Sequence, residues 1–124
     1  MKKVILLIET KENEEIIQKK VVARKEEMNN VVIYSFTEKE KNKTTYKLFK
    51  DKFEIINENL VDNVCVELSL NEKDASFTTI SYNGQKVKIK IDILYFQVVP
   101  NIDIKYILEV DPQNIHQLRI EEKR

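Results

Sequence analysis

Tyrosines are the residues of this chain whose type and spacing best suit binding chemistry. Four of them share strand parity with apolar neighbours: Tyr34, Tyr46, Tyr95 and Tyr106. An alternating strand would turn all four side chains toward one interior. Several tyrosines around a cavity suit a small, largely apolar or amphipathic molecule, because each ring packs while its hydroxyl seeks a hydrogen-bond partner. A core filled by these side chains is the alternative interpretation.

His116 is the only histidine of the chain, and it shares strand parity with Leu118 and Ile120. A general base at this position would need an orienting carboxylate and a pocket. We therefore interpret His116 as a structural or rim side chain. Any catalytic or metal site that needs two histidines is excluded within one chain.

The other reactive residue types also lack the neighbouring groups that would activate them for catalysis. Cys65 is the only cysteine, so the chain forms no internal disulfide, and no nearby positive charge lowers the pKa of its thiol. Asp92 and Asp103 lie on solvent faces rather than in contrasting environments. With Gly84 as the only glycine, phosphate-binding loops are excluded. We predict no catalytic residue, no metal site and no cofactor, and hence no enzyme.

The most basic segment covers residues 39–53, from Lys39 to Phe53, with Tyr46 and Phe49 among its lysines. Charge interleaved with aromatic rings is typical of surfaces that bind single-stranded nucleic acid. Lysines beside glutamates are more often a solvated strand face, and the formal net charge of zero provides no attraction to nucleic acid or anionic membrane. Weak single-strand binding here is an alternative that we do not favour.

The elements that must position these residues are strands. Residues 86–93 read K-V-K-I-K-I-D-I, a strict alternation that indicates a strand buried on one face. The apolar members should face a core: Val87, Ile89, Ile91 and Ile93. The polar members between them should face water.

Further strand-like segments are rich in β-branched and aromatic residues. They cover residues 4–9, 31–38, 44–50, 53–56, 64–70, 76–82, 86–99, 102–110 and 115–121. Asparagine-rich breaks separate them, and Asn83-Gly84 is a strong hairpin signal. The pattern predicts an antiparallel all-β fold, and the length of 124 residues predicts a single domain over 1–124. Residues 12–28 fit helix and strand almost equally.

The order of these segments resembles the YwiB-like family of small bacterial proteins of unknown function. The resemblance rests on V-V-I-Y-S-F-T-E (31–38), T-T-Y-K-L (44–48), S-Y-N-G-Q-K-V-K-I-K-I (81–91), I-D-I-K-Y-I-L-E-V (102–110) and L-R-I-E (118–121). It implies a single antiparallel calycin-type (lipocalin-like) β-barrel of about eight to ten strands, with a strand over residues 16–25. It implies no activity. Family members tend to carry a glycine near residues 20–22, and this chain has none.

Two hypotheses for function follow. The first is a small cytoplasmic barrel that binds a small, largely apolar ligand in its interior. The second is a protein-interaction barrel without a cavity, which would use a sheet edge or an apolar segment. Residues 4–8 and 94–99 are apolar on both faces, which leaves a homodimer open. The apolar run at residues 4–8 is too short for a signal peptide or a membrane span, so we expect a cytoplasmic location and no membrane.

Overall fold

The computed structural model describes residues 2–123, and ten strands occupy most of that length. They are β1 (Lys2–Glu12), β2 (Glu15–Met28), β3 (Val31–Glu38), β4 (Asn42–Leu48), β5 (Lys52–Asn59), β6 (Val64–Asn71), β7 (Ser76–Tyr82), β8 (Gln85–Gln97), β9 (Ile102–Leu108) and β10 (Asp111–Lys123). Each strand pairs antiparallel with the next along the chain, and β1 also pairs with β10. The fold is therefore a closed ten-strand antiparallel β-barrel, which confirms the predicted fold class.

Asparagine occupies the left-handed positions of several tight turns, whereas Lys39 and Glu40 occupy them in the β3–β4 turn. Asn29 and Asn30 join β2 to β3 with φ of 50° and 67°, and Asn83 and Gly84 join β7 to β8 with φ of 50° and 77°. Asparagine tolerates this left-handed region better than other residues with a side chain. Two-residue turns of this kind match the twist of the strands that they join. The predicted hairpin at Asn83-Gly84 is confirmed.

Residues 12–28, whose periodicity fits helix and strand almost equally, mostly form strand β2 in the structure. It pairs with β1 from Glu15, opposite Glu12, to Lys25, opposite Lys2. The ladder satisfies the backbone of a segment whose valines and isoleucines favour a pleated strand. The structure thus shows the strand that the family resemblance implied.

The alternating residues of β8 behave as predicted except at one end. Ile91 is buried, Ile93 packs against the core and Ile89 is half-buried, while the intervening lysines are exposed. Val87 is 57% exposed, so its predicted burial is wrong. Val87 is exposed because β9 is shorter than β8. The β8–β9 ladder ends where Leu108 lies opposite Ile91, so β9 does not reach the start of β8.

The ladders on both sides of β9 each contain a register shift. The register of β8 against β9 shifts between Ile93 and Tyr95, and that of β10 against β9 shifts between Asp111 and Ile115. An extra residue in one strand reverses the faces of all residues beyond it. Tyr95 therefore points outward, opposite Lys105, and Phe96 takes the inward position.

The core fills only one half of the barrel interior. We call this half the closed end; it contains the first residues of β1, β3, β5, β7 and β9. Its fully buried side chains are Leu6, Phe53, Leu70 and Ile104. The opposite end, where the β1–β2 and β3–β4 turns lie, is here called the open end. No helix in the described part of the chain is long and apolar enough to cross a membrane.

Candidate functional site

A cavity of about 440 Å³ occupies the open end of the barrel. Its floor is apolar and includes Ile55, Leu68 and Leu118, which belong to three different strands. Beyond this floor, large inward side chains fill the interior. Among them, Tyr46 packs on Phe53 with ring centres 5.5 Å apart. The volume lies within the range of about 300–1,000 Å³ that is typical of small-molecule sites. The barrel is thus neither an open tube nor a completely filled core.

A stacked aromatic pair forms one wall of the cavity. Tyr106 on β9 lies directly opposite His116 on β10, and their rings stack with centres 5.1 Å apart and planes 11° apart. The Nε2 atom of His116 is buried and has no hydrogen-bond partner within the described residues. The same is true of the Oδ1 atom of Asn114, two positions earlier on β10. Buried polar atoms without partners are uncommon in folded proteins. Asn114 does not line the cavity, so the His116 nitrogen alone marks this wall as a place where a ligand group would be stabilised.

Two tyrosine hydroxyls add polar groups to the apolar surface. Tyr46 and Tyr106 both line the cavity, and neither hydroxyl forms a hydrogen bond within residues 2–123. Burial, with the Glu12 carboxylate nearby, raises the pKa of Tyr106 to about 12. Burial and the negative charge of Glu38 raise the pKa of Tyr46 well above its usual range. Both hydroxyls therefore stay protonated at neutral pH and can donate a hydrogen bond to a ligand.

The rim of the cavity is polar. The Thr44 hydroxyl donates to Oδ1 of Asn57 over 3.0 Å, which leaves the Asn57 amide hydrogens for other partners. Lys19 reaches across from β2 to Glu38 on β3, with 2.7 Å between Nζ and Oε1, and its ammonium lies 5.6 Å from the centre of the Phe36 ring. An apolar floor beneath a polar rim suits an amphipathic molecule.

At the closed end, the side chains of Tyr34, Lys25 and Glu122 form a separate polar cluster. The Tyr34 hydroxyl donates to Glu122 over 2.9 Å, and Nζ of Lys25 lies 2.7 Å from the same carboxylate oxygen. The hydrogen bond from Lys25 is the main reason that the pKa of Glu122 is lowered. Each of these polar groups has a partner, so this cluster closes the barrel rather than presenting a site.

The four tyrosines predicted to bind a ligand thus have three different environments. Tyr46 and Tyr106 line the cavity, and Tyr34 is buried at the closed end. The prediction that Tyr95 faces inward is wrong: its side chain is 45% exposed and its hydroxyl bonds Gln97, because the register shift of β8 turns it outward. The rim lysine of β2, Lys19, was missed by the sequence reasoning, although its parity with Val21 and Ala23 could have indicated it.

The remaining reactive residues are not assembled into a site. Burial and the carboxylates of Glu67 and Glu58 raise the pKa of the Cys65 thiol, which agrees with an inert thiol. Asp103 is held on the outer surface by Gln117 and Arg119, at 2.9 and 3.3 Å. Within residues 2–123, no group of three or more His, Cys, Asp or Glu side chains could hold a metal ion.

The basic segment at residues 39–53 does not present the aromatic surface that nucleic-acid stacking requires. Tyr46 and Phe53 are both buried inside the barrel. Phe49 is half-buried, and the ammonium of Lys52 covers its ring at 4.4 Å. The segment therefore offers charge without free aromatic faces.

A larger depression, of about 700 Å³, lies on the outer wall of the barrel. Its polar side chains already bond one another: Gln18 donates to Glu9 over 2.8 Å, and Arg119 forms an ion pair with Asp103 at 3.3 Å. Exposed ion pairs of this kind bind weakly and are well hydrated. We therefore regard the smaller interior cavity, with the unpartnered buried Nε2 atom of His116 in its wall, as the candidate site.

Comparison with known proteins gives one informative result. No protein-family model matches the chain, and no curated protein sequence matches it significantly. The crystal structure of the YwiB protein from Bacillus subtilis superposes with a TM-score of 0.68 and 17% sequence identity, over 98% of this chain and 94% of that one. An identity this low shows the fold alone. The chain therefore has a YwiB-like β-barrel fold along almost its whole length.

Proposed function

We propose that this chain is a binding protein that holds a small amphipathic molecule in the open end of its barrel. The buried Nε2 of His116, without a partner at the wall of a cavity of about 440 Å³, is the observation that carries the proposal. Leaving such an atom unpaired costs about 1–3 kcal/mol, and a ligand group that bonds it recovers this energy. We assign the barrel to the calycin type and its setting to the cytoplasm, where a single free thiol is stable.

The chemistry of the wall indicates the chemistry of the ligand. A hydroxyl group suits Nε2 in either tautomer, since a hydroxyl both donates and accepts a hydrogen bond. The Tyr46 and Tyr106 hydroxyls would donate to a second polar atom. A flat apolar body would rest on Ile55 and Leu68 beside the stacked rings. We therefore expect a planar, largely apolar molecule that carries one or two hydroxyl or carbonyl groups.

Calorimetric titration with 1-naphthol, which has a flat apolar body and one hydroxyl, tests the proposal. Two neighbouring isoleucines of β2 provide matched variants. Ile17 lines the cavity and is 63% exposed, whereas Ile16 has the opposite strand parity and is 54% exposed. Both tolerate a large side chain at the surface, so Ile17→Trp should obstruct the cavity entrance without unfolding the barrel, and Ile16→Trp should not.

We expect 1-naphthol to bind the natural chain and Ile16→Trp alike, and to bind Ile17→Trp at least about tenfold more weakly, a difference of about 1.4 kcal/mol. At about 100 times its dissociation constant, the ligand should stabilise the fold by about 2.7 kcal/mol. Equal affinity of both tryptophan variants would place binding outside the cavity. No binding by the natural chain to 1-naphthol or to related phenols would favour the interaction hypothesis.

A further inference from the structure

The barrel wall contains an incomplete seam between β2 and β3. Backbone pairing joins these strands only from Arg24, opposite Ser35, to Met28, opposite Val31. Residues 15–23 of β2 pair with β1 on one side, and no strand within the described residues pairs with their other side. The backbone N–H and C=O groups of this segment that point away from β1 therefore have no partner strand. We call residues 15–23 the free edge.

The free edge is long and, apart from Val21 and Ala23, exposed. Nine residues in an extended strand span about 30 Å. From Glu15 to Lys20 every residue is exposed, and the exposed side chains include Ile16, Ile17 and Val22. Within residues 2–123, the side-chain links across the seam here both come from Lys19. It forms an ion pair with Glu38, whose side chain, like that of Lys19, is more than one-third exposed, and its ammonium lies 5.6 Å from the Phe36 ring. A surface ion pair contributes about 0–1 kcal/mol, so it holds the seam only weakly.

From this geometry we infer that the free edge is a docking site for an extended acidic segment of a partner protein, which adds to β2 as a further strand. Strand addition takes affinity from main-chain hydrogen bonds and specificity from alternate side chains. Lys19 and Lys20 stand at the middle of the edge on its two faces, and Lys20 makes no ion pair within residues 2–123. On the outer face, an acidic strand would place a carboxylate opposite Lys20, while Lys19 on the other face keeps its ion pair with Glu38. Glutamate on the outer face alternating with a β-branched residue on the inner face is therefore the favoured partner sequence.

The same lysines argue against a second copy of this chain as the occupant. An antiparallel dimer that pairs all nine residues has its two-fold axis at the central residue, Lys19. Each Lys19 would then lie opposite its own copy, with Gln18 opposite Lys20 on either side. Like charges directly opposite one another destabilise a strand pair. Pairing of the free edge with a second copy is therefore unfavourable, whereas pairing with an acidic strand is electrostatically favourable.

The test uses a synthetic nine-residue peptide that alternates glutamate with valine. Its binding to the ¹⁵N-labelled full chain is followed by amide chemical shifts and by hydrogen–deuterium exchange. The control peptides carry lysine in place of glutamate, or N-methyl groups on alternate amides. The charge-matched protein variants are Lys20→Glu on the free edge and Lys105→Glu, an exposed residue of β9.

We expect the acidic peptide to slow exchange of amides within residues 15–23, and N-methylation to abolish this effect. Lys20→Glu should weaken binding at least about tenfold, and Lys105→Glu should change it less than about twofold. Several results would overturn the inference. They are no shift at about 1 mM peptide, shifts confined to other strands, equal binding of the N-methylated peptide, or equal loss in both variants. Amide protection of the free edge that rises with protein concentration alone would identify a second copy as the occupant instead.

Discussion

The imidazole of His116 stacks on the phenol ring of Tyr106, and its Nε2 atom is buried without a hydrogen-bond partner. The two residues face each other across the β9–β10 ladder, so the backbone pairing itself holds the stack in place. Stacking fixes the ring plane of the histidine, and the cavity beside it leaves room for a ligand to bond Nε2. A rigid polar atom on an apolar wall is the arrangement that gives a small-molecule site its orientation and specificity.

Replacement of His116 by phenylalanine keeps the stack and removes the buried nitrogen. We expect His116→Phe to raise the free energy of unfolding by about 1 kcal/mol, because an unpaired buried polar atom is eliminated. The affinity for 1-naphthol should fall about tenfold. Urea unfolding and calorimetric titration measure the two effects. An unchanged affinity would show that the ligand does not bond His116.

Raised tyrosine pKa values predict a loss of stability in alkali. The pKa of Tyr106 rises from 10.0 in the unfolded chain to about 12 in the barrel. A raised folded pKa gives stability that is complete below pH 10 and is lost as the pH rises from 10 toward 12. The free energy of unfolding, measured in urea across this range, should fall less steeply for Tyr106→Phe than for the natural chain. Equal slopes would contradict the burial of this hydroxyl.

The closed end predicts an acid effect of the opposite sign. Lys25 and Tyr34 lower the pKa of Glu122 below its ordinary value of 4.5. A lowered folded pKa gives stability that is present above pH 4.5 and is lost as the pH falls through the folded value. We expect Glu122→Gln to destabilise the barrel by about 2 kcal/mol at neutral pH and to weaken this acid dependence.

Glu27→Gln is the matched control for that experiment. Glu27 also approaches Lys25, at 3.5 Å, but its side chain is 67% exposed. Its loss should change stability by less than about 0.5 kcal/mol. Equal effects of the two variants would show that Glu122 has no special role in closing the barrel.

Burial along β8 predicts a contrast between two residues on the same face. Ile91→Ala should cost about 3 kcal/mol, because Ile91 is buried in the core. Val87→Ala should cost less than about 1 kcal/mol, because Val87 lies beyond the end of β9. Chemical denaturation of the two variants provides the comparison. A similar loss in both would mean that β9 or another segment covers Val87.

The fold was predictable because its determinants are local. The alternation at residues 86–93 and the turn at Asn83-Gly84 each specify their structure within a few neighbours. The site was less predictable because it depends on register. One extra residue between Ile93 and Tyr95 reverses the faces beyond it, and nothing in the sequence indicates that shift. Parity therefore identified Tyr46 and Tyr106 correctly as inward residues and failed for Tyr95.

The environment of His116 depends on contacts that sequence reasoning could not supply. Parity placed it on the face of Leu118 and Ile120, as the structure shows. Its stacking on Tyr106 depends on the pairing of β9 with β10, and its unpartnered nitrogen depends on the cavity left between non-adjacent strands. The sequence around His116 therefore indicates its inward orientation but not its stacking or its unpartnered nitrogen.

Intermolecular nuclear Overhauser effects between 1-naphthol and the side chains of the purified chain test the central claim most directly. If the open end of the barrel is a binding site, the naphthyl protons will show contacts with the Leu68 methyl groups and with the ring protons of Tyr106 and His116. Contacts limited to outer-face side chains such as Ile16, or none at all in a sample where 1-naphthol is bound, would contradict it.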